Sequence, residues 1–382
     1  MSRRAAATTA AVAGAAVIVA AAWWKLLPGP SADPAGPGGV AGRTAAAGVA
    51  AALARADAMR APFRCARWNV DAQAEHAGSI ATPTGRRADR RGAVLRVTGG
   101  DRTLTLGVVA DVRAPTPAAL HNLQQIRAEF ERARVDAVVS LGGMGTVEED
   151  IARSLAEIVR GAPWITIAMP GATESVPAHR AAVAALARDG AAVVDGSAVR
   201  IVEIDGAVVG TLPGVAAAGQ LAAGADGCVH TADDIDAFAA AFALRPAPRV
   251  LASYAPPRQA GDAASDVALG GVHVGEPEIA TATRATRPIA VVHAVVDEAA
   301  LGARTGSAVV TGPPVIVAAG AADGAPLWLP DDRIAGARAL VVTVRDRRVA
   351  WRRIVVPAGG DKAAAGGRGP RRRAQPLPGH AH

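Results

Sequence analysis

Aromatic side chains are scarce in this 382-residue chain: they make up 3% of it, with one tyrosine and four phenylalanines. Few large rings are available as anchors, so the 51% hydrophobic share must fill a core with Val, Ile, Leu and above all Ala. Such a core suits helices packed on the faces of a mostly parallel sheet. Cysteine is also rare. Cys65 and Cys228 stand alone, neither in a CxxC nor a CxxCH context, which excludes cysteine-based metal or haem attachment. No cysteine lies near the N-terminal apolar run, so a lipobox is excluded. Two buried free thiols are the expectation, and a disulfide is the alternative in an exported chain. A GxSxG elbow, a P-loop lysine and a complete GxGxxG are missing, which removes the anchors for a serine hydrolase or a nucleotide site. No internal repeat is visible.

The formal net charge is +7, but its ends carry it. Arg3, Arg4 and Lys25 give +3 around the N-terminal run. Beyond Ala358, Lys362, Arg368, Arg371, Arg372 and Arg373 against Asp361 give +4, so the body between is formally neutral. A nucleic-acid-binding domain would carry its positive field on the fold, so no nucleic-acid partner is expected.

Residues 5–24, "AAATTAAVAGAAVIVAAAWW", bear no charge, and a helix of that length spans a bilayer core. The basic residues before it favour a single-pass cell-membrane anchor over residues 1–26, with the body on the outer, periplasmic or extracytoplasmic side. A cleaved signal peptide, with "AAA" at 20–22 as the small-residue site and a secreted product, is the alternative. A Pro/Gly linker follows at 27–43 and a helical-to-irregular extension at 44–92. The body occupies 93–356, and the Gly/Pro-rich basic tail 357–382 reads as disordered.

Within the body, "AVLRVT", a "GGD" turn and "TLTLGVV" read as a hairpin. Helical patterns at 117–133, 147–160, 176–189, 232–243 and 276–285 then alternate with strands such as "VDAVVSL", "WITIAM", "AAVVD", "RVLASY" and "IAVVHAVV". "ALVVTVRD" and "RVAWRRIVV" close the body as added antiparallel strands. The pattern is α/β, and function in such folds sits in the loops after the carboxyl ends of the strands.

Those loops read "ADVRAPT", "LGGMGTVEED", "MPGATES", "LASYAPPR" and "LGGVHVGEP". As an ordered set, over about residues 103–355, they resemble the calcineurin-like metallophosphoesterase family. The resemblance implies a four-layer αββα sandwich and a two-metal site that hydrolyses phosphate esters. The family's Asp-x-His is met by Asp111 and Arg113. Its Gly-Asp-x-x-Asp is met by Gly142, then Gly143 in place of the metal-bridging aspartate, and Thr146 in place of the last. Its Gly-Asn-His-Glu is met by Gly171, Ala172, Thr173 for the catalytic histidine, and Glu174. A ligand histidine is replaced by Tyr254, and in the final Gly-His-x-His, Gly270 and His273 remain while Gly271 replaces the first histidine.

Asp111 and His273 are therefore a vestigial metal pair, lined by Arg113, Gly143, Thr173, Glu174, Tyr254 and Gly271 as pocket residues. Two ligands are fewer than structural or catalytic zinc takes, so no cofactor and no catalytic residue are expected. Extended residues alternate faces, which places Arg113 beside Asp111, where its guanidinium would replace the cation electrostatically. The resulting expectation is a membrane-anchored pseudoenzyme that binds an unknown protein or a small anionic ligand, or serves envelope assembly. The alternative is an active phosphohydrolase with a remodelled site and one weakly held Zn, Mn or Fe ion. Elsewhere, Thr146 and Glu149 read as a capping box. Glu174 is equally a helix-start residue. His293 reads as a core residue, and His121, His179 and His230 as surface positions.

Overall fold

The computed structural model describes residues 64–65, 68, 77–82, 84–100, 103–204, 206–222, 226–262, 264–268, 271–296, 309–310, 314–324 and 336–357. All lie in the larger of two compact units, Ala56–His382. The N-terminal run, the linker, most of the extension before Ala77, Gly270 and the tail from 358 fall outside the described residues. No helix among the described residues is long and apolar enough to cross a membrane.

In chain order the elements are β1 (Ala77–Ala81), β2 (Arg87–Arg91), β3 (Val94–Thr98), β4 (Leu104–Val109), α1 (Pro117–Ala133), β5 (Ala137–Ser140) and α2 (Glu148–Val159). Next come β6 (Ile165–Ala168), α3 (Val176–Arg188), β7 (Val193–Asp195), β8 (Ile201–Ile204), β9 (Ala207–Leu212), α4 (Ala232–Ala243), β10 (Arg249–Ser253) and α5 (Pro277–Thr286). β11 (Ala290–His293), β12 (Val309–Val310), β13 (Val315–Ala318), β14 (Ala337–Arg345) and β15 (Arg348–Val356) complete the set.

The strands form two mixed sheets. One runs β15-β14-β4-β5-β6-β7, the other β1-β2-β3-β8-β9-β10-β11-β13-β12. In the first, β4 to β7 are parallel and step in one direction, so right-handed crossovers put α1, α2 and α3 on a single face. Leu123, Ile126 and Phe130 of α1, Ile151 and Leu155 of α2 and Leu186 of α3 meet Val109 and Val138 there in one apolar cluster. A second, larger cluster joins Leu104, Leu106 and Val139 of the first sheet to Leu95, Val202 and Val250 of the other. α4 sets Phe238 and Phe242 against the other sheet, where the bare Cα of Gly210 makes room for both rings.

Local signals explain most helix ends. α1 is capped by Thr116, whose hydroxyl accepts from Ala119 N at 3.2 Å, and carries Pro117 in its first turn. α4 has a complete capping box between Thr231 and Asp234. α2 departs from expectation. Its cap is Val147, with no side-chain bond, because Ile151 N already closes onto Val147 O and leaves Glu149 a position short of the box.

Three further expectations need correction. β3 and β4 are not a hairpin: β3 pairs with β2 and β8, β4 with β14 and β5, so the chain changes sheets between them. Part of the segment read as irregular forms β1 and β2, whose charged "RADRR" pattern hid an antiparallel edge. Cys65 and Cys228 are also joined, with Cα atoms 5.6 Å apart, so the free-thiol expectation is replaced by a disulfide. It closes a sequence separation of 163 residues, worth about 5 kcal/mol in the loop-entropy account.

Candidate functional site

The loops that leave β4, β5, β6, β9, β10, β11 and β13 meet on one face, the strand-exit face. Backbone hydrogen bonds fix them to one another. Asp111 N donates to Gly142 O at 2.9 Å and Arg113 N to Gly143 O at 2.7 Å, which binds the β4 loop to the β5 loop. Gly214 N reaches Pro170 O and Ala222 N reaches Ala172 O, which binds the β9 loop of one sheet to the β6 loop of the other. Tyr254 N donates to Leu212 O and Ala294 N to Tyr254 O, which spans β9, β10 and β11.

Glu174 holds two of these loops together. Its carboxylate is fully buried and accepts from Met144 N at 2.8 Å, Gly171 N at 2.9 Å and the Thr173 hydroxyl at 3.1 Å. It does not cap α3, whose cap is Ser175. Three donors around one buried carboxylate supply the compensation that its desolvation demands. Thr173 is thus a partner of Glu174.

Tyr254 fills the middle of the face. Its ring is buried and lies over two glycines from the other sheet. A Cβ at Gly171 would come within 2.7 Å of Tyr254 Cδ2, and one at Gly142 within 3.0 Å of the same atom. Gly143 is equally tight: φ is +75° and a Cβ would lie 2.8 Å from Asp111 Cα. The room that a bridging aspartate would need is taken by Asp111 itself. Gly271 differs. It sits at an exposed turn with φ +79°, and its missing side chain would enter open space.

Arg113 does not follow the extended-strand expectation. β4 ends at Val109, and Asp111 and Arg113 have φ of 53° and 58°, so alternation of faces fails there. Arg113 instead forms an ion pair from Nε to Asp323 Oδ2 at 3.4 Å, across to the loop after β13. Ala322 N donates to Ala110 O beside it, and Asn122 Nδ2 to Asp323 O. Sequence reasoning missed Asp323. Its only signal was a position after the apolar run "PVIVAAG".

His273 is turned toward a partner that was also missed. Its Nδ1 lies 3.0 and 3.1 Å from the two oxygens of Asp266, a fully buried carboxylate that also accepts from Gln259 N. Among the described residues, no three His, Cys, Asp or Glu side chains converge to hold a metal ion. Two cavities of about 350 and 640 Å³ open at the other ends of the strands, near Gly206 and near Arg86 and Thr105, away from these loops.

Buried histidines are more numerous than expected. His293 is the core residue foreseen: Nδ1 donates to Ala294 O and Nε2 accepts from Ser265 Oγ, both at 2.9 Å. Burial pushes its pKa down to about 4, partly opposed by its bond to Ala294 and by Asp266. His179 and His230 are buried, and the surface expectation fails for both. His230 bridges Pro213 O, at 3.1 Å, and Glu276 Oε2, at 2.6 Å. His179 donates to Ala168 O and approaches Asp195 at 3.7 Å. Burial opposes its charged form, but Asp195 and Glu174 outweigh burial and raise its pKa. The helical spacing of these residues carried no sign of their carboxylate partners, which lie on distant segments.

Two measurements follow from this geometry. Tyr254→Ala is expected to destabilise by about 3–5 kcal/mol and Gly171→Ala by about 1–3 kcal/mol in urea unfolding. The double variant should cost less than their sum, because removing the ring removes the clash. Additive costs would show that the ring does not bear on Gly171. His293, whose pKa is depressed, stabilises the fold fully above about 6.5, and that contribution is lost as pH falls toward about 4. The loss should approach 3 kcal/mol, roughly the free energy of such a shift, and His293→Asn should flatten that part of the pH profile.

No protein-family model and no curated protein matches this chain. Several solved structures resemble it. TT1561 of Thermus thermophilus is 12% identical, with 65% of this chain and 98% of that one covered at a TM-score of 0.44. GAP50, the anchor in the inner membrane complex of Plasmodium, is 7% identical, with 66% and 84% covered at 0.44. A dimetal phosphatase from Danio rerio is 13% identical, with 66% and 98% covered at 0.41. At such identities and scores the likeness decides nothing about this chain.

Proposed function

We propose that this chain is an exported, membrane-anchored protein with a calcineurin-like phosphoesterase fold that binds a partner or a small anionic ligand without turning over a phosphate ester. One observation carries the reading: the ring of Tyr254 occupies the strand-exit face where reacting groups would have to meet. Gly143 supports it, since no side chain fits between its Cα and Asp111. The Cys65–Cys228 disulfide supports export, because such bonds persist in oxidising compartments. The uncharged run at 5–24 supports the anchor.

Hydrolysis of chromogenic phosphate mono- and diesters by the full chain should equal the buffer rate, with or without added manganese or zinc. Gly143→Asp should lose about 1–3 kcal/mol of stability through overpacking and should gain no metal by elemental analysis. Metal-dependent turnover that vanishes in Asp111→Ala and in His273→Ala would establish the remodelled hydrolase instead. The anchor is checked separately. The full chain should fractionate with membranes, and removal of residues 1–26 should release it. Mature chains beginning near Trp23 outside the membrane would identify a signal peptide.

A further inference from the structure

Three residues shortly before β1 are tied to α4 and to the segment that leads into it. Arg64 offers Nε and Nη2 to the carboxylate of Asp234, at 3.1 and 2.8 Å, and Nη2 also reaches the Thr231 hydroxyl at 3.0 Å. Cys65 is bonded to Cys228, three residues before Thr231. Trp68 sets its ring edge-on to Phe238, with centroids 6.4 Å apart and planes at 65°. Nothing between Arg64 and Trp68 belongs to a strand or helix among the described residues.

The body is built to stand without these contacts. α4 has its own capping box, so Arg64 joins a helix end that Thr231 and Asp234 already close. Cys65, Cys228 and Val176 form a small apolar cluster apart from the two large ones. Phe238 keeps its stacking on Phe242, at 5.3 Å, and the Arg200 guanidinium over its ring, at 5.1 Å. The non-covalent ties differ in kind. Arg64 is 37% exposed while Asp234 is 3% exposed, so water reaches the pair from the Arg64 side, and Trp68 is partly buried against the larger cluster. The covalent bond adds to both by holding the partners at high effective concentration.

We propose that Arg64, Cys65 and Trp68 form a redox-latched strap, and that opening the Cys65–Cys228 bond frees Arg64 and Trp68 from α4 while the two-sheet body stays folded. The opening is a two-electron step. A dithiol reductant gives up two electrons and two protons and becomes a disulfide, and Cys65 and Cys228 become thiols. Both cysteines are buried in the latched form, at 4% and 0% exposure, so a reductant reaches the bond through a transient local opening, and reduction then makes the release lasting.

The test uses the full chain in detergent, oxidised, treated with dithiothreitol, and as Cys65→Ser, which needs no reductant. Three readouts are taken: tryptic cleavage after Arg64, alkylation of Cys228 by iodoacetamide in Cys65→Ser, and urea unfolding of the body. Cleavage after Arg64 should quicken by roughly tenfold or more once the bond is open, because the local opening is no longer opposed covalently. Cys228 should alkylate in native buffer, and the body should keep one cooperative unfolding transition. Unchanged cleavage together with a protected Cys228 would show that the non-covalent contacts hold the strap, and the latch would be wrong. Loss of the cooperative transition would show that the bond staples the core, which also overturns it.

Discussion

The contact of Tyr254 with Gly142 and Gly171 sets the terms for the strand-exit face. The two glycines come from the β5 and β6 loops of one sheet, and the ring comes from the β10 loop of the other. A flat side chain can lie there only because neither glycine carries a Cβ, and Gly142 also has φ +121°, a conformation other residues avoid. With the ring in place, neighbouring loops can close by backbone bonds such as Gly214 N to Pro170 O and Ala222 N to Ala172 O. A buried loop must satisfy its backbone polar groups, and here they satisfy one another.

The charged groups beneath this layer obey the same rule. Glu174 is answered by two backbone N–H groups and a hydroxyl, Asp266 by Gln259 N and His273, and Glu276 by Ala216 N and His230. Glu174 and Glu276 join segments that are distant in the chain and Asp266 ties together one loop, so each is a cross-brace as much as a charge. Such networks are costly when half satisfied and specifying when complete. Arg113 and Asp323 add a more exposed brace between the β4 and β13 loops.

Much of this was legible in the sequence, and the failures have physical causes. The four helical patterns from 117 to 243 fall within a residue or two of α1 to α4, because apolar period and caps are local signals. The hairpin expectation failed at β3 and β4 because pairing is decided by tertiary partners, and a Gly-rich connection serves a sheet change as well as a turn. Asp111, Gly143, Thr173, Glu174 and Tyr254 lie in the loops that leave β4, β5, β6 and β10. Gly271 instead marks an exposed turn, and His273 faces Asp266. Of the missed residues, Glu276 and Asp323 act through contacts at long sequence separation, which no local pattern encodes, and Asp266 meets His273 across a seven-residue loop outside any helical or strand period.

A site braced in this way has a different thermodynamic character from one held by ions. A metal that binds only the folded state adds stability in proportion to its occupancy, so the fold weakens when the ion is scarce. Internal braces have no such dependence. Their cost appears elsewhere. A buried carboxylate that loses one partner keeps its desolvation penalty, so single substitutions here are expensive even where the network as a whole is only mildly stabilising. The positive φ at Asp111 and Arg113, and at the β-branched Val295 just after β11 with φ 70°, adds local strain of order 1–3 kcal/mol each. Strain of that kind persists only where the surroundings over-determine the backbone, and the interlocked loops around Tyr254 and Glu174 supply that determination for Asp111 and Arg113. The members of this face therefore constrain one another through the bonds that join their loops.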